Sequence, residues 1–206
     1  MEPVERRSHW DTVYNSKASD EVSWFQREPT QSLELLHRFG VTPQSCVIDV
    51  GGGDSHLVDH LVHEGLTCLT VLDVSEAALN RAKHRLGASA SKVQWLATDV
   101  TSAWSLAPTD FWHDRAVFHF LTESAERARY VERLRQTVKP AGNILIATFA
   151  PDGPEKCSGL PIARYSPETL AQELGPDFTL VEHVPESHRT PWGGVQSFIY
   201  CVFTFA

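Results

Sequence analysis

The sequence predicts an α/β protein with a doubly wound, mostly parallel seven-stranded sheet that ends in an antiparallel hairpin. Three observations predict this fold. Apolar, strand-like runs alternate with amphipathic helical segments through most of the chain. The run over residues 143–149 is almost entirely apolar, as in a strand covered on both faces. The last two strand-like runs have no helix between them, so they should pair antiparallel across a loop.

The elements follow in order along the chain. Helices are predicted over residues 5–14 and 30–39, and Gly40 closes the second as a C-cap. Parallel strands are predicted over 46–50, 66–73, 93–97, 110–117 and 143–149. The helices between them cover 55–64, 75–86 and 122–138, with Ser75 and Thr122 as expected N-caps. A helix starts at 166–168 and stops at 175–176, and strands over 178–184 and 198–205 form the hairpin.

Composition limits the classes of function. The chain has 206 residues, is 42% hydrophobic and carries a formal net charge of −8 at pH 7. An acidic chain of this kind lacks the basic face that nucleic-acid binders need. The first seven residues hold no apolar signal-peptide core, and no run reaches membrane-spanning length. We therefore expect a cytoplasmic protein, monomeric or weakly dimeric, that binds neither nucleic acid nor membranes.

The cysteines suggest free thiols. Cys46, Cys68 and Cys201 lie in strand-like runs, where a thiol behaves as a small buried apolar group. Their spacing indicates neither a metal site nor a disulfide. Cys157 differs, because it lies in a proline- and glycine-rich loop over residues 152–161 that we expect to cover a ligand pocket.

Three histidines fall at a spacing that can bind zinc. His56, His60 and His63 share one side of a predicted helix. The apolar residues of that helix occupy the other side and should face the sheet. We expect the histidines on the solvated face and predict no metal site.

The strongest functional signal is a glycine turn. The apolar run over residues 47–50 ends in Gly51, Gly52 and Gly53, which let the backbone turn sharply and approach a ligand closely. Asp73 ends the next strand, where its carboxylate can accept both hydroxyl hydrogens of a ribose. Asp99 follows the third strand and can accept from an exocyclic amine. The order glycine turn, ribose acid and adenine acid predicts a nucleoside-bearing cofactor at the carboxyl ends of the strands.

With these residues, the chain resembles the class I S-adenosylmethionine-dependent methyltransferases. The resemblance implies S-adenosylmethionine as cofactor, held at its amino-acid end by the glycine turn, at its ribose by Asp73 and Val74, and at its adenine by Asp99 and Val100. The segment over residues 138–142 is similar to the family's LKPGG turn. The resemblance also implies one methyltransferase domain over residues 1–206, with an N-terminal helical lid (1–40) and a Rossmann-like core (41–206).

The glycine turn departs from the family pattern in one respect. Family members often read D-x-G-x-G-x-G, whereas Asp54 and Ser55 follow Gly53 in this chain, so the last glycine is missing. A serine at this position can cap the following helix.

The N-terminal segment carries a second likeness. Residues 9–14 and 23–25 resemble the W-D-x-x-Y motif and aromatic lid of two branches, the thiol- or metalloid-methylating enzymes and the seven-strand protein-lysine methyltransferases. By this resemblance Trp10 and Tyr14 close over the cofactor, and Trp24 and Phe25 contact the substrate. Aromatic faces stabilise a sulfonium cation and exclude water. The alternative is that these rings only attach two helices to the core.

The fourth strand should lead to the acceptor side. Asp114 and Arg115 are charges in an otherwise apolar strand, and we expect both to contact the cofactor. His119 is the candidate base or substrate-orienting group, with a hydrogen-bonded structural role as the alternative. Cys157 and Arg164 are expected to contact the acceptor.

The sequence therefore predicts methyl transfer from S-adenosylmethionine to a small soft nucleophile such as a thiol, selenol or metalloid. A protein lysine is the alternative acceptor, favoured by the acidic charge and the N-terminal likeness. A non-catalytic binding protein on this scaffold, or a nicotinamide oxidoreductase, is the alternative from another class, supported by the missing glycine. A dinucleotide turn, however, would prefer glycine where His56 stands.

Overall fold

A computed structural model describes residues 3–206, and Met1 and Glu2 lie outside the described part. The helices are α1 (Pro3–Ser16), α2 (Thr30–Arg38), α3 (Leu57–His63), α4 (Glu76–Leu86), α5 (Ser124–Thr137) and α6 (Pro167–Leu174). The strands are β1 (Cys46–Val50), β2 (Cys68–Asp73), β3 (Val93–Ala97), β4 (Thr109–Arg115), β5 (Val138–Phe149), β6 (Lys156–Cys157), β7 (Leu160–Pro161), β8 (Phe178–Arg189) and β9 (Val195–Phe205).

The main sheet has seven strands in the order β3-β2-β1-β4-β5-β9-β8. Strands β1 to β5 run parallel, and β9 runs antiparallel to both β5 and β8. This confirms the predicted fold class. The strand order reverses between β1 and β4, and sheets of this kind bind ligands beyond the carboxyl ends of the strands at such a reversal.

Local capping sets both boundaries of α4. The Ser75 hydroxyl accepts a hydrogen bond from the Ala78 amide at 3.2 Å at the start of α4, and Gly87 ends that helix with φ +56°. The predicted cap at Thr122 is wrong, because α5 starts at Ser124 and Glu123 precedes it without a side-chain cap. None of the described helices combines the length and apolar character needed to cross a membrane.

Two apolar layers cover the two faces of the sheet. One layer packs β1 and β4, through Ile48 and Trp112, against α5 and α6. The other packs their opposite faces against α3 and α4. The residues of α3 that face the sheet are all buried, as the sequence predicts: Leu57, Val58, Leu61 and Val62. This arrangement leaves the carboxyl ends of the parallel strands as the exposed edge on which a site can form.

The prediction of free thiols at two positions is wrong. Cys46 and Cys68 form a disulfide between the first residues of β1 and β2, where their Cα atoms are 4.6 Å apart. The two residues are register partners on neighbouring parallel strands, a contact that their separation of 22 residues does not reveal. Cys157 and Cys201 are free and buried.

Candidate functional site

A cavity, here called the main cavity, lies at the carboxyl ends of β1, β2, β3 and β4 and is covered by α1. The predicted cofactor residues that line it are Trp10, Tyr14, Gly51, Asp73, Val74, Asp99, Val100 and Arg115. Two predicted substrate residues, Trp24 and Cys157, line it as well. The fold therefore brings together residues that the sequence spreads over about three quarters of the chain.

The glycine turn leaves no room for side chains. Gly51 has φ +65°, and a Cβ there would lie 1.9 Å from the Val117 side chain. Gly53 has φ +45°, and a Cβ there would lie 2.8 Å from Asp73 Oδ2 and 3.0 Å from the Tyr14 hydroxyl. Both positions therefore need glycine for their backbone conformation and for the close approach of neighbouring groups.

Asp54 and Ser55, which follow Gly53 where the family pattern ends in a glycine, both accept hydrogen bonds. The Asp54 carboxylate accepts hydrogen bonds from Arg85 of α4 and from the Ser19 hydroxyl in the segment after α1. The Ser55 hydroxyl accepts from the Leu57 amide at 3.1 Å, but Ser55 is not the cap expected from the sequence, because His56 precedes α3 and has no side-chain cap. The turn is thus tied both to α4 and to the covering N-terminal segment.

Asp73 is buried at the base of the main cavity. Its Oδ1 accepts from the Ser75 amide at 2.7 Å. Burial raises the pKa of this carboxyl to about 7, and the nearby Asp49 and Asp11 carboxylates add to the effect. A ligand that donates hydrogen bonds to Asp73 would favour the ionised form.

Asp99 is held on two sides. Its Oδ1 accepts from the Thr101 amide at 2.8 Å and from the Thr101 hydroxyl at 2.7 Å. Arg6 of α1 donates from Nη1 to Asp99 Oδ2 at 2.5 Å and also pairs with Glu126 of α5. Sequence reasoning did not identify Arg6 as a cavity residue.

The aromatic residues of the N-terminal segment pack over the cavity and against each other. The Trp10 ring centroid lies 5.1 Å from that of Phe120 and 5.7 Å from that of Trp24. Burial raises the pKa of Tyr14 well above its usual value. Arg6, Trp10 and Tyr14 follow at intervals of four residues, so they share one face of α1. That spacing is the sequence signal that would have found Arg6.

Arg115 places a buried guanidinium at the wall of the main cavity. Its Nε donates to the Tyr200 hydroxyl at 2.8 Å and its Nη1 donates to the Trp24 carbonyl at 3.0 Å. The guanidinium lies 4.6 Å from the Phe198 ring centroid, and Nη2 is 3.7 Å from the Glu186 carboxylate. These contacts fix a positive charge beside the aromatic lid.

Asp114, predicted to contact the cofactor, lies away from the cavity surface. This side chain is fully buried, lines neither cavity of the site, and accepts from the Tyr130 hydroxyl at 2.6 Å and the Val117 amide at 3.0 Å. Burial raises its pKa to about 6. Its role is to hold the turn after β4, where Ala116 adopts φ +69° and lines the main cavity.

His119, the predicted base, lies outside the main cavity as well. The ring is fully buried and packs against Phe120 and Phe149, with centroids at 4.6 and 4.8 Å. Its Nδ1 accepts from the Phe149 amide at 3.3 Å. Burial, with a smaller effect of Arg115, lowers its pKa to about 3. The burial and the hydrogen bond to the Phe149 amide match the structural role that is the alternative for His119.

A second cavity adjoins the main one and shares Tyr14, Trp24, Gly51 and Arg115 with it. Two further predicted residues, Gly52 and Phe25, line this second cavity. Its floor holds a buried chain that the sequence did not predict: His113 Nδ1 lies 2.7 Å from Asp49 Oδ1, and His113 Nε2 lies 2.9 Å from the Ser32 hydroxyl.

The loop after β5 contributes one of its two predicted residues. Burial raises the pKa of the Cys157 thiol to about 11, so the cavity meets a neutral thiol. Arg164 is not at the cavity. Its guanidinium donates to the Gly153 carbonyl at 3.2 Å and pairs with Glu155 at 3.4 Å, and these contacts connect it to the loop after β5.

Comparison with known sequences gives two matches. A family model described as a methyltransferase domain matches residues 48–144. The eEF1A lysine and N-terminal methyltransferase of Mus musculus is 24% identical over 93 residues, which are 45% of this chain and 13% of that protein. The chain thus corresponds to a small part of that relative's length.

Comparison with solved structures finds the same fold. The SAM-dependent methyltransferase of Anabaena variabilis superposes with a TM-score of 0.75 at 16% identity, covering 97% of this chain and 95% of that one. The N-methyltransferase NodS of Bradyrhizobium japonicum, solved with S-adenosyl-l-homocysteine, gives 0.72 at 18%, covering 95% and 97%. A structure concerned with the conversion of a disulfide bond into a thioacetal group during echinomycin biosynthesis gives 0.78 at 17%, covering 97% and 92%.

Proposed function

We propose that this chain, whose residues 48–144 form a class I S-adenosylmethionine-dependent methyltransferase domain, transfers the methyl group of that cofactor to a small soft nucleophile. A thiol is the acceptor that we favour, and a selenol or a metalloid is an acceptor of the same soft character. The supporting observation is the end of the main cavity formed by Trp10, Trp24, Phe120, Arg115 and Cys157, here called the acceptor end, where a fixed cation and aromatic rings meet.

The cavity residues fit the adenosyl cofactor. Gly51 and Gly53 keep the turn free of side chains, and the Asp73 carboxylate lies next to that turn. We assign Asp73 to the ribose hydroxyls and Asp99 to the adenine amine, while Trp10 and Tyr14 cover the sulfonium end. When bound, S-adenosylmethionine supplies a methyl group on a sulfonium with a neutral leaving group, so the chain's main task is to orient the acceptor.

The acceptor end favours a nucleophile that ionises by itself. Among the described residues that line the main cavity there, Cys157 has a pKa of about 11 and Tyr14 one well above its usual value, so neither removes a proton at neutral pH. A thiol has a pKa of about 8.5 and forms a thiolate readily, whereas a lysine has one of about 10.4. The Arg115 guanidinium stabilises a thiolate and opposes an ammonium group, although Glu186 offsets part of its charge.

The first test is calorimetric titration with S-adenosylmethionine, S-adenosylhomocysteine and NADH. Binding of the two adenosyl ligands without NADH supports the cofactor, whereas preference for NADH contradicts it. The purified protein is then incubated with S-adenosylmethionine and matched acceptors, namely an aromatic thiol, the corresponding amine, a selenol, arsenite and a lysine peptide. Mass spectrometry follows methylated product and S-adenosylhomocysteine together. Methylation of the thiol above the amine supports the proposal, and methylation of the peptide alone overturns it.

Lysine methylation is the second candidate. It is favoured by the sequence match to a lysine and N-terminal methyltransferase, although the match covers 13% of that protein. A protein acceptor would bring its own surface to the cavity mouth, and the acidic net charge of −8 would attract a basic segment. Tight adenosyl binding with no turnover of any acceptor would instead favour a binding protein on this scaffold.

A further inference from the structure

We propose that Arg6 is a positioning residue for adenine recognition. From the covering helix α1 it fixes the carboxylate of Asp99 that accepts from the adenine amine. The role of Arg6 rests on the proposed function, because Asp99 meets adenine only if the main cavity binds the adenosyl cofactor. Under this proposal the chain discriminates adenine from other bases fully only when α1 is docked. The glycine turn and Asp73 do not carry this selectivity, because they contact other parts of the cofactor.

The hydrogen bonds around Asp99 leave one oxygen lone pair for a ligand. A carboxylate offers about four acceptor positions, two on each oxygen. The Thr101 amide and hydroxyl, at 2.8 and 2.7 Å, use both positions on Oδ1. Arg6 Nη1 uses one position on Oδ2 at 2.5 Å. The position that remains on Oδ2 accepts one N–H, which matches the exocyclic amine of adenine and rejects a carbonyl oxygen.

The charge arrangement makes Arg6 necessary for this geometry. Arg6 bridges Asp99 and Glu126, and the exposed fractions of the three side chains are 10%, 3% and 7%. Without Arg6, the buried Asp99 Oδ2 would lose its charged donor. A buried carboxylate that loses such a donor rotates or takes up a proton, and either change removes the fixed acceptor that the adenine amine needs.

Loss of Arg6 should leave the helix attached, because α1 and the segment after it have other anchors. Asp11 accepts from the Ser75 hydroxyl at 2.6 Å at the start of α4, and Ser19 donates to Asp54 of the glycine turn. Tyr14 is buried in the core of the lid. An Arg6 variant is therefore expected to fold, with its defect at the adenine end.

The test compares two cofactor analogues by calorimetry. S-adenosylhomocysteine carries the 6-amino group of adenine, and S-inosylhomocysteine carries a carbonyl oxygen there. Both are titrated into the parent protein, Arg6→Gln, Arg6→Lys and Arg7→Gln. Arg7 is the matched control, since it is the next residue of α1 and donates at 3.0 Å to the Ala97 carbonyl instead of to Asp99. Circular dichroism and thermal unfolding verify that each variant is folded.

We expect the parent and Arg7→Gln to prefer the amino analogue by about tenfold to a hundredfold, the range for a hydrogen bond to a charged group. Arg6→Gln should lower this preference to below about threefold, and Arg6→Lys should restore part of it. The preference is informative because a general loss of packing would weaken both analogues equally. A preference that survives in Arg6→Gln overturns the role of Arg6, whereas equal binding of both analogues by the parent overturns the assignment of Asp99 itself. If neither analogue binds the parent, the proposed function fails instead.

Discussion

The two ends of the main cavity are built differently. The end that we assign to the adenosyl group, here called the adenosyl end, has charged groups at the ends of β2 and β3. Asp73 and Asp99 are each held there by a backbone amide two residues further along the chain. The acceptor end consists of the rings of Trp10, Trp24 and Phe120, which come from three separate segments. One end is formed within local strand–helix units, and the other only by tertiary packing.

This difference gives the two ends different tasks: the adenosyl end recognises a ligand, and the acceptor end excludes water. At the adenosyl end, polar groups have fixed partners, so a ligand is selected by the hydrogen bonds it completes. At the acceptor end, apolar rings and the Arg115 guanidinium line the same cavity, so we expect an acceptor to be selected by its size, softness and charge. Changes at the first end should act on cofactor affinity, and changes at the second on turnover.

The largest expected effect is at the adenosyl end. Asp73→Ala should weaken S-adenosylhomocysteine about a hundredfold, because two ribose hydroxyls lose a charged acceptor. Calorimetry provides the measurement. Asp110→Asn is the control, because Asp110 accepts from the Cys46 amide at 2.8 Å and from Lys139 at 2.7 Å at the opposite ends of the strands. Unchanged affinity in Asp73→Ala would remove Asp73 from the site.

Replacement of His119 should lower the stability of the protein without changing the pH dependence of catalysis. His119→Ala removes a fully buried ring packed on two aromatic residues and should lower the free energy of unfolding by about 2 kcal/mol. Urea denaturation measures this loss. The shape of the pH profile of kcat at saturating cofactor should stay that of the parent. If one limb of the pH profile of the parent is missing in His119→Ala, His119 acts as a base after all.

Cofactor affinity should depend on pH through Asp73. The carboxyl has a pKa of about 7 in the free protein, and ribose hydroxyls favour its ionised form, so the pKa falls on binding. Below pH 7, ligand binding therefore releases a proton from the Asp73 carboxyl. The affinity should decrease by roughly tenfold for each unit of decreasing pH. Titrations in buffers of different ionisation enthalpy detect that proton. Asp73→Asn should bind with a flat profile over the same range, and a flat profile in the parent would contradict the linkage.

The smallest effect is expected at Cys157. Its thiol lines the acceptor end but is neutral, because burial raises its pKa to about 11. Cys157→Ser keeps the size and polarity of the group and should change kcat/KM for a thiol by less than about twofold. Steady-state kinetics with one thiol and one metalloid acceptor measure this. A loss above tenfold with the metalloid alone would make Cys157 a ligand for that acceptor.

Sequence reasoning worked where contacts are local. The glycine turn, Asp73 and Asp99 sit at strand ends that hydrophobic periodicity locates, so their meeting at one edge follows from the parallel topology. It failed where partners are distant in sequence. The pairing of Cys46 with Cys68 needs strand register, which the spacing does not specify. The contacts of Asp114 with Tyr130 and of His119 with Phe149 are equally hidden in the sequence. Arg6 was missed because its partners lie 93 and 120 residues away.

The disulfide has a consequence for any assay of this protein with thiol acceptors. It closes a covalent ring around β1, the glycine turn and α3, with ends 22 residues apart, and a ring of this size stabilises a fold by about 3 kcal/mol. Cys68 is exposed, so an external thiolate can attack the bond by exchange. A thiol that is offered as acceptor in an assay can therefore also open this disulfide. A rate that declines during incubation with millimolar thiol would report the opening of this ring and not inhibition at the acceptor site.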